Sequence, residues 1–569
     1  MATTASEWLS IKPYLRDPAA QKLADFFEQK GLARLKQEDQ LEQWYEDWLR
    51  YQNEHQLYAS VLSPKQYSSA GRQFDLLRYA RFMELFAYCS PSHAYSMQVT
   101  FLGFFSILMG SNDALKKEAT RTLEAGGLFA FGVSEKEHGS DLLANEFIVR
   151  PAAPGRFVAN GRKYYIGNAN CGGIISILGR NDEAHSDGKL SKRAPFVLFA
   201  LRPAQSKAFG NLRKIRTLGV RAGYVGEFEV KDHELPDTDL IAEGRRAWDA
   251  VLGTVTLGKF FLGFGSIGIC EHAFAETVAH LSRRILYGKP VIEMPHIRST
   301  TAQACARLTA MKLYAYRALD YVHAARADDR RYLLYCAVQK AKVSTEGVKV
   351  MALLSECIGA KGFESDDTFF EMALRDAQLI PGLESSAHIN LGLTAQLMPR
   401  YFSRADPNVG EPKSISCGEQ ESIENAYLME GRTSAINAIA FPPFLRGYTP
   451  LMSIPNVRLF TRQAKAFRLF LRTIHSKRAL ITQTTLALGQ SVATMAYGQL
   501  IAENAVRLAV APEMVSAIFH LLMADLSASA LSLASLPELG TVSRLLVRRA
   551  VVVPRTSSSD WKWVEEACL

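Results

Sequence analysis

LFAFGVSEKEHGSD, residues 128–141, breaks the texture of everything before it. A short apolar run, Leu128 to Gly132, passes into a polar turn with a hydroxyl at each end, Ser134 and Ser140. Such runs, closed by Gly, Asn and Asp, read as strand and turn. Upstream, residues 6–55 place apolar side chains three and four apart among charges, the period of a helix. Downstream come further strand-like pieces: RFVANGRKYYIGNA, IISILG, PFVLFALRP and GYVGEFEVKD. NDEAHSDGKLSKRA, 181–194, separates two of them as an expected exposed loop. From about 245 the helical period returns. A polar connector, FSRADPNVGEPKSISCGEQESIEN, precedes one more helical block. The expected fold is α+β, mainly α. An N-terminal helical domain (1–125) leads to a small β-barrel or sandwich domain (126–240). A helical-bundle domain (241–400) and an extra C-terminal helical domain (401–569) follow.

The chain has 569 residues and a net charge of +9, with 48% hydrophobic and 22% charged residues. That is the composition of a globular protein of several packed units. The positive balance suits anionic partners without choosing among them. No run reads as long enough to span a bilayer, and the first residues lack a secretory layout. The eight cysteines are scattered without a CxxC, so reduced thiols in a cytoplasmic protein are expected. GFGSIG, 263–268, matches a dinucleotide fingerprint but lies in a helical context, where its glycines serve helix packing. His272 and His280 show no metal-ligand spacing.

RDAQLIPGLESSAHIN, 375–390, raises a different question. Glu384 follows the uncharged run from Ala377 to Leu383. A carboxylate in an apolar loop is either a surface acid or a tuned base. GVSEKEHGSD, 132–141, could hold an anionic or carbonyl-rich ligand on turn amides and hydroxyls. GRKYYIGNAN, 161–170, could flank a flat ring.

Taken together, these stretches resemble the acyl-CoA dehydrogenase family over about 85–400. LFAFGVSEKEHGSD is similar to its flavin-binding segment ending in TEPxAGSD, with Lys136 in place of proline. GRKYYIGNAN resembles GxKxWITNA, with Tyr165 for Trp and Gly167 for Thr. RRILYG resembles RxxFG through Arg284 and Tyr287. ECIGAKGF resembles a QxxGGxGY-type segment, with Glu356 and Ala360 as departures. RDAQLIPGLESSAHIN aligns without a gap with RDA…EGTxxIQ, placing Glu384 on the catalytic base, Ser385 on Gly and Ser386 on Thr.

The resemblance implies FAD and an acyl thioester. It assigns Val133, Ser134, Tyr165, Ile166 and Gly167 to the flavin ring, and Phe131 to the cofactor. Ser140 and Lys259 fall near the thioester, Ser140 beside the cofactor as well. Arg284 goes to the pyrophosphate of a neighbouring subunit. Glu356, Gly359 and Ala360 go to the adenosine half, and Ser386 also lies against the cofactor. Gly167 leaves only a backbone amide where the family's Thr supplies a hydroxyl towards flavin N5. Removal of the α-proton by Glu384 requires a dry wall, for which Leu379, Ile380, Pro381 and Leu383 are suited, and donors on the thioester oxygen.

The implied reaction is α,β-dehydrogenation to a trans-2-enoyl thioester, with electrons passed to an electron-transfer flavoprotein. An acyl-carrier-protein dehydrogenase and an acyl-CoA oxidase stand as alternatives, and a flavin-containing nucleic-acid-binding relative as another class. The C-terminal block resembles that of very-long-chain acyl-CoA dehydrogenases, which implies a homodimer. RLFTRQAKAFRLFLRTIHSKR, 458–478, interleaves basic and aromatic residues. It reads either as a surface for anionic membranes or as a packed helix with a basic edge.

Overall fold

The computed structural model describes residues 10–181, 196–403, 405–431, 439–474 and 482–569. Most of the loop expected at 181–194, together with Lys477 and Arg478, lies outside the described residues. The chain forms two compact units. The first comprises Tyr14–Gly265 with Ser422–Ser434. The second comprises Ser266–Glu421 and Ala435–Leu569, with Met1–Pro13.

The first unit opens with helices α1 (Pro18–Gln40), α2 (Glu46–Glu54), α3 (Leu57–Leu62), α4 (Leu76–Cys89), α5 (Pro91–Leu108) and α6 (Asp113–Glu124). Their starts follow from side-chain caps. Asp17 accepts from Ala19 N, Asp75 from Leu77 N and Arg78 N, and Asn112 from Leu115 N. α5 is apolar on every side and buried along nearly its whole length. It lies on the sheet at Gly103, where an added Cβ would stand 2.5 Å from Ala130 O.

The sheet contains β1 (Leu128–Gly132), β2 (Ile148–Ala153), β3 (Arg156–Gly167), β4 (Gly172–Asn181), β5 (Phe196–Leu201), β6 (Phe209–Lys214), β7 (Val225–Pro236) and β8 (Leu240–Glu243). The order is β6-β7-β3-β2-β4-β5-β8, and β1 pairs with β4 in parallel. Alternate residues of these strands, including Val149, Ile175, Ile177, Phe199 and Phe228, close one apolar core together with Phe147. β2, β6 and β8 escape a propensity reading. β2 carries Pro151, β6 is an edge strand with a polar, exposed middle, and β8 has four residues. α7 (Gly244–Arg283) begins in the first unit and ends in the second. The glycines at 263–268 lie inside this helix.

The second unit continues with the two-residue strands β9 (Ile285–Leu286) and β10 (Lys289–Pro290), which form a hairpin. Helices α8 (Pro295–His323), α9 (Tyr332–Val338), α10 (Ser344–Ile358), α11 (Phe370–Leu379) and α12 (Ala387–Ser403) follow. A buried π turn, Gln339–Val343, joins α9 to α10. The C-terminal block supplies α13 (Pro455–Leu471), α14 (Thr482–Arg507), α15 (Pro512–Ser535), α16 (Thr541–Arg548) and α17 (Ser558–Cys568).

Buried charges join this block to the preceding helices. Arg317 donates to Glu503 at 2.8 Å and to Asp320 at 3.0 Å. Lys342 donates to Asp525 at 2.8 Å, and Arg307 reaches both Glu346 and Asp525. Burial raises the Asp525 carboxyl, yet Lys342, Arg307 and Lys349 together hold it well below the usual carboxylate range.

Two expectations are corrected here, and an open alternative is narrowed. Cys305 and Cys568 are disulfide-bonded across 263 residues of sequence, tying α17 to α8, so not all thiols are reduced. Two helices, Gly244–Arg283 and Pro512–Ser535, are long and apolar enough to cross a bilayer. Of their most apolar windows, 83% and 67% are buried inside the protein. In the stretch 458–478, the aromatic residues Phe460, Phe467 and Phe470 are fully buried on the inner face of α13 and do not form a surface. Arg458, Arg462, Lys465, Arg468 and Leu469 face outward.

Candidate functional site

In the first unit the two motif segments fasten each other. Tyr164 N donates to Ser134 O at 3.0 Å, and Ser134 Oγ donates to Tyr164 O at 2.7 Å. Beneath them Lys163, fully buried, donates to Glu135 Oε1 at 2.8 Å and to Val133 O at 3.1 Å. The Glu135 carboxylate also accepts from Glu146 N and Phe147 N, at 2.7 and 3.0 Å. Every oxygen of this buried carboxylate therefore has a donor. Burial pulls the Lys163 ammonium down to about 8 against the opposing charge of Glu135. The turn closes through Glu135 N, which donates to His138 O at 2.9 Å. His138 pairs with Asp141, and that bond raises its pKa. Ser140 is exposed at the tip of the turn.

The end of β3 carries the residues expected at the flavin ring. Between Lys163 and Ile166 the strand holds one residue more than β7 opposite it, which is a bulge. Tyr165 sits in that bulge at φ 62° with its ring 59% exposed, while Ile166 and Gly167 are buried. Phe131 is half-buried and Val133 buried on the neighbouring stretch. Asn168 anchors the turn that follows. Its amide donates to Ser96 O at 2.9 Å, Phe129 O at 3.0 Å and Thr100 Oγ1 at 3.3 Å. A Cβ on Gly167 would lie 2.5 Å from Val99 Cγ2 and 2.8 Å from Tyr95 Oη. A Thr at 167 would therefore require Val99 or Tyr95 of α5 to shift, and the Tyr95 hydroxyl stands beside the position where its side chain would begin. Lys259 is buried in the first half of α7.

In the second unit, Glu384 lies in the turn between α11 and α12. Ile380 is buried, and Leu379, Pro381, Leu383 and Glu384 are half-buried. Glu384 and Ser385 both have left-handed backbones, at φ 49° and 77°. A non-glycine residue there costs about 1–3 kcal/mol, and such strain gathers where function needs a fixed geometry. The turn is braced on several sides. Ala387 N donates to Pro381 O at 2.9 Å and Gly382 N to Leu379 O at 2.9 Å. The Asn390 amide donates to Ser386 O at 2.9 Å, with longer bonds to Ser385 O and Oγ. Buried Lys340, from the π turn, donates to Ile380 O. Ser386 caps α12 by accepting from Ile389 N at 3.4 Å. Arg375 pairs with Glu371 one turn earlier.

A second cluster of expected residues lies in the same unit. Leu281 and Val291, flanking the β9–β10 hairpin, pack with Ile297 and Cys357 in one small core. This brings Arg284 and the 356–363 segment to one region, and the charges of Arg284 and Lys361 help burial to lower the pKa of His280. Glu356, Gly359 and Ala360 are exposed. So are Ile285, Leu286, Tyr287 (94%) and Phe363 (82%).

Lys163, Asn168, Lys340 and Asn390 were not singled out from sequence. Lys163 leaves a trace, since it falls on the inward register of β3 among apolar neighbours, where a charge needs a partner. Asn168 leaves a trace as the Asn that closes the GxKxWITNA-like segment. Lys340 and Asn390 give no local signal, because their partners are carbonyls and a hydroxyl that only the fold brings near.

Residues 246–396 match the family model for the acyl-CoA dehydrogenase C-terminal domain. The chain is 25% identical over 323 residues to the cyclohex-1-ene-1-carbonyl-CoA dehydrogenase of Syntrophus aciditrophicus, covering 56% of this chain and 74% of that one. The solved acyl-CoA dehydrogenase of Bacillus anthracis, complexed with FAD, has a similar fold. Its TM-score is 0.76 at 16% identity, over 97% of this chain and 93% of that one. A prolyl acyl carrier protein oxidase is similar over 67% of this chain and 98% of its own, with a TM-score of 0.58 at 18% identity. Through this domain and these relatives the chain is similar to the acyl-CoA dehydrogenase family. The relatives named here are dehydrogenases of CoA thioesters and an oxidase of a carrier-protein thioester, and the Bacillus anthracis structure holds the cofactor FAD.

The residues present fit that cofactor. The Arg284 guanidinium is exposed and makes no ion pair among the described residues, which suits a pyrophosphate. The Tyr165 ring stands clear of the sheet core, and the Ser140 hydroxyl is accessible.

Proposed function

We propose that the chain oxidises an acyl-CoA thioester to the trans-2-enoyl thioester, with Glu384 as the base. The observation carrying this reading is the pair of consecutive left-handed residues, Glu384 and Ser385, in a turn braced by Asn390 and Lys340. A backbone held this way fixes the point from which the Glu384 side chain starts, so less of the chain has to be ordered when a substrate arrives. Glu384 takes the α-proton onto a carboxylate oxygen, and its own backbone N–H donates to the thioester oxygen, where negative charge gathers. The flavin, when bound, supplies the acceptor for the β-hydride. Val133, Ser134, Ile166 and Gly167 line the ring, with Tyr165 packed against it. Phe131 and Ser386 add contacts to the cofactor, and Ser140 and Lys259 face the thioester end. Glu356, Gly359 and Ala360 take the adenosine half.

Arg284 reaches the pyrophosphate of a second copy in this proposal, which makes the protein a homodimer. The exposed apolar residues Ile285, Leu286, Tyr287 and Phe363, close to Arg284, support that reading. Electrons leave to an electron-transfer flavoprotein. Oxidation of a carrier-protein thioester is a second reading, favoured by the fold shared with the carrier-protein oxidase.

Glu384→Gln decides the role of the base. The variant is expected to retain FAD and to lose substrate-driven flavin bleaching under anaerobic conditions by at least about a thousandfold, since its amide accepts no proton. Bleaching within about tenfold of the wild type assigns the proton transfer elsewhere. A panel of acyl-CoA and acyl-carrier substrates in the same assay separates the two carriers.

A further inference from the structure

The C-terminal block contains a groove of about 590 Å³ that the thioester reaction does not use. One wall is α13, through Leu459, Arg462 and Ala466, and the other is the extended segment from Arg549 to Arg555. Buried amides hold the two walls together. Gln463 donates to Ala550 O at 2.8 Å, and Asn456 accepts from Arg555 N at 2.8 Å while donating to Thr556 Oγ1. Ser527 Oγ both donates to Val552 O and accepts from Val552 N, each at 3.2 Å. The walls are therefore set before any ligand arrives.

Arg462, Arg549 and Arg555 line this groove, and their guanidinium groups have no ion pair or hydrogen bond among the described residues. The surrounding sequence offers them no acid, since 455–474 and 539–559 contain no Asp or Glu. The nearest acid in sequence, Asp560, is engaged by Ser516 Oγ and Ser557 N. Beside the three cations the groove presents hydrocarbon: Leu459, Val551 (38% exposed) and Val553 (82% exposed). Three guanidinium groups lining one groove suit the oxygens of a phosphate, and the valines suit an alkyl chain attached to it.

We propose that this groove is a binding site for a phosphate group carried on a hydrocarbon chain. The source is either a soluble phosphorylated amphiphile or the headgroup of a phosphatidic acid in a bilayer.

Calorimetric titration of the full-length, FAD-loaded protein tests this with three probes: inorganic phosphate, dihexanoyl phosphatidic acid below its micelle concentration, and dihexanoyl phosphatidylcholine. The phosphatidic acid is expected to saturate one site at least about tenfold more tightly than phosphate, and the choline lipid to bind at least about tenfold more weakly than the phosphatidic acid. R462Q/R549Q/R555Q is expected to lower phosphatidic acid affinity at least about a hundredfold, with thioester oxidation unchanged. V551S/V553S is expected to weaken the lipid and leave phosphate as in the wild type. Flotation with phosphatidylcholine vesicles, with and without phosphatidic acid, separates the sources. Capture by the phosphatidic acid vesicles assigns the site to a membrane headgroup. Binding of the soluble lipid without capture assigns it to a free amphiphile. The proposal is overturned if neither phosphate nor dihexanoyl phosphatidic acid saturates, or if the triple variant binds as the wild type does. It is also overturned if R458Q/K465Q, on the same helix but outside the groove, loses as much affinity, because the attraction is then that of a general basic surface.

Discussion

The two motif segments of the sheet and the Glu384 turn are both rigid, but their rigidity has different sources. At the sheet, a buried charge pair supplies it. Lys163 and Glu135 sit under the segments, and Glu135 is saturated by two further backbone donors. The backbone above them is ordinary strand except at the Tyr165 bulge. At the Glu384 turn the backbone itself departs from the ordinary. Two residues hold left-handed conformations, kept there by neutral hydrogen bonds from Asn390 and a bond from Lys340 to a carbonyl. Stability at the first place is electrostatic and pays for desolvation. At the second, local strain is balanced by bracing. Substitutions are therefore expected to unfold the sheet site and to loosen the turn.

The largest effect belongs to Lys163→Met. It leaves the Glu135 carboxylate buried without its cation, and removing one partner of such a pair typically costs about 3–5 kcal/mol. Urea denaturation is expected to show a loss of that size, together with FAD loss. Lys163→Met with Glu135→Leu is expected to recover part of it, although Glu146 N and Phe147 N then lose their acceptor. A single variant as stable as the wild type would show that the pair does not organise the sheet site.

Gly167→Thr comes next and tests the sheet site by packing alone. The new Cβ meets Val99 and Tyr95, an overpacking of about 1–3 kcal/mol. Val99→Ala in the same chain is expected to restore most of that loss, because it removes the nearer of the two atoms. Thermal unfolding of the three variants reads this directly. Full stability of the single variant would mean that α5 yields at this point.

How much of each region the sequence discloses follows from the same difference. The helix–sheet–helix order is legible because periodicity survives in residues 18–124, 128–243 and 244–403. The edge strand 209–214 is not, since its outward side chains are polar. Glu384 stands out as a lone acid in an apolar loop, but its placement as the base came from resemblance to the family's loop, not from the residues. Gly167 reads from sequence as a lost hydroxyl, whereas the structure shows Tyr95 and Val99 already occupying the space. The Cys305–Cys568 bond and the networks of Arg317 and Asp525 lie between residues far apart in sequence. No local pattern encodes them.

At the Glu384 turn, Asn390→Ala removes three bonds to the carbonyls and hydroxyl of Ser385 and Ser386. A stability loss of about 1–2 kcal/mol is expected, with the turn loosened and not unfolded. The functional signature is a drop in kcat of about tenfold with KM changed less, because the base is misplaced while the binding surfaces remain. An equal rise in KM with kcat intact would place Asn390 in binding and not in positioning.

The smallest effect is expected from Ser385→Gly, and it has the opposite sign. At φ 77° a serine side chain is crowded by its own backbone, and glycine removes that strain. Glycine also adds freedom to the unfolded chain, which offsets part of the gain. The net change is expected to be a stabilisation of less than about 1 kcal/mol, visible as a small rise in Tm. If bracing alone fixes the base, kcat is unchanged, because Asn390 still donates to Ser386 O. If the serine holds the turn through the bond from Asn390 to its Oγ, kcat falls while Tm rises. That split would show that the strained serine positions the base, and that its departure from the family's glycine is functional.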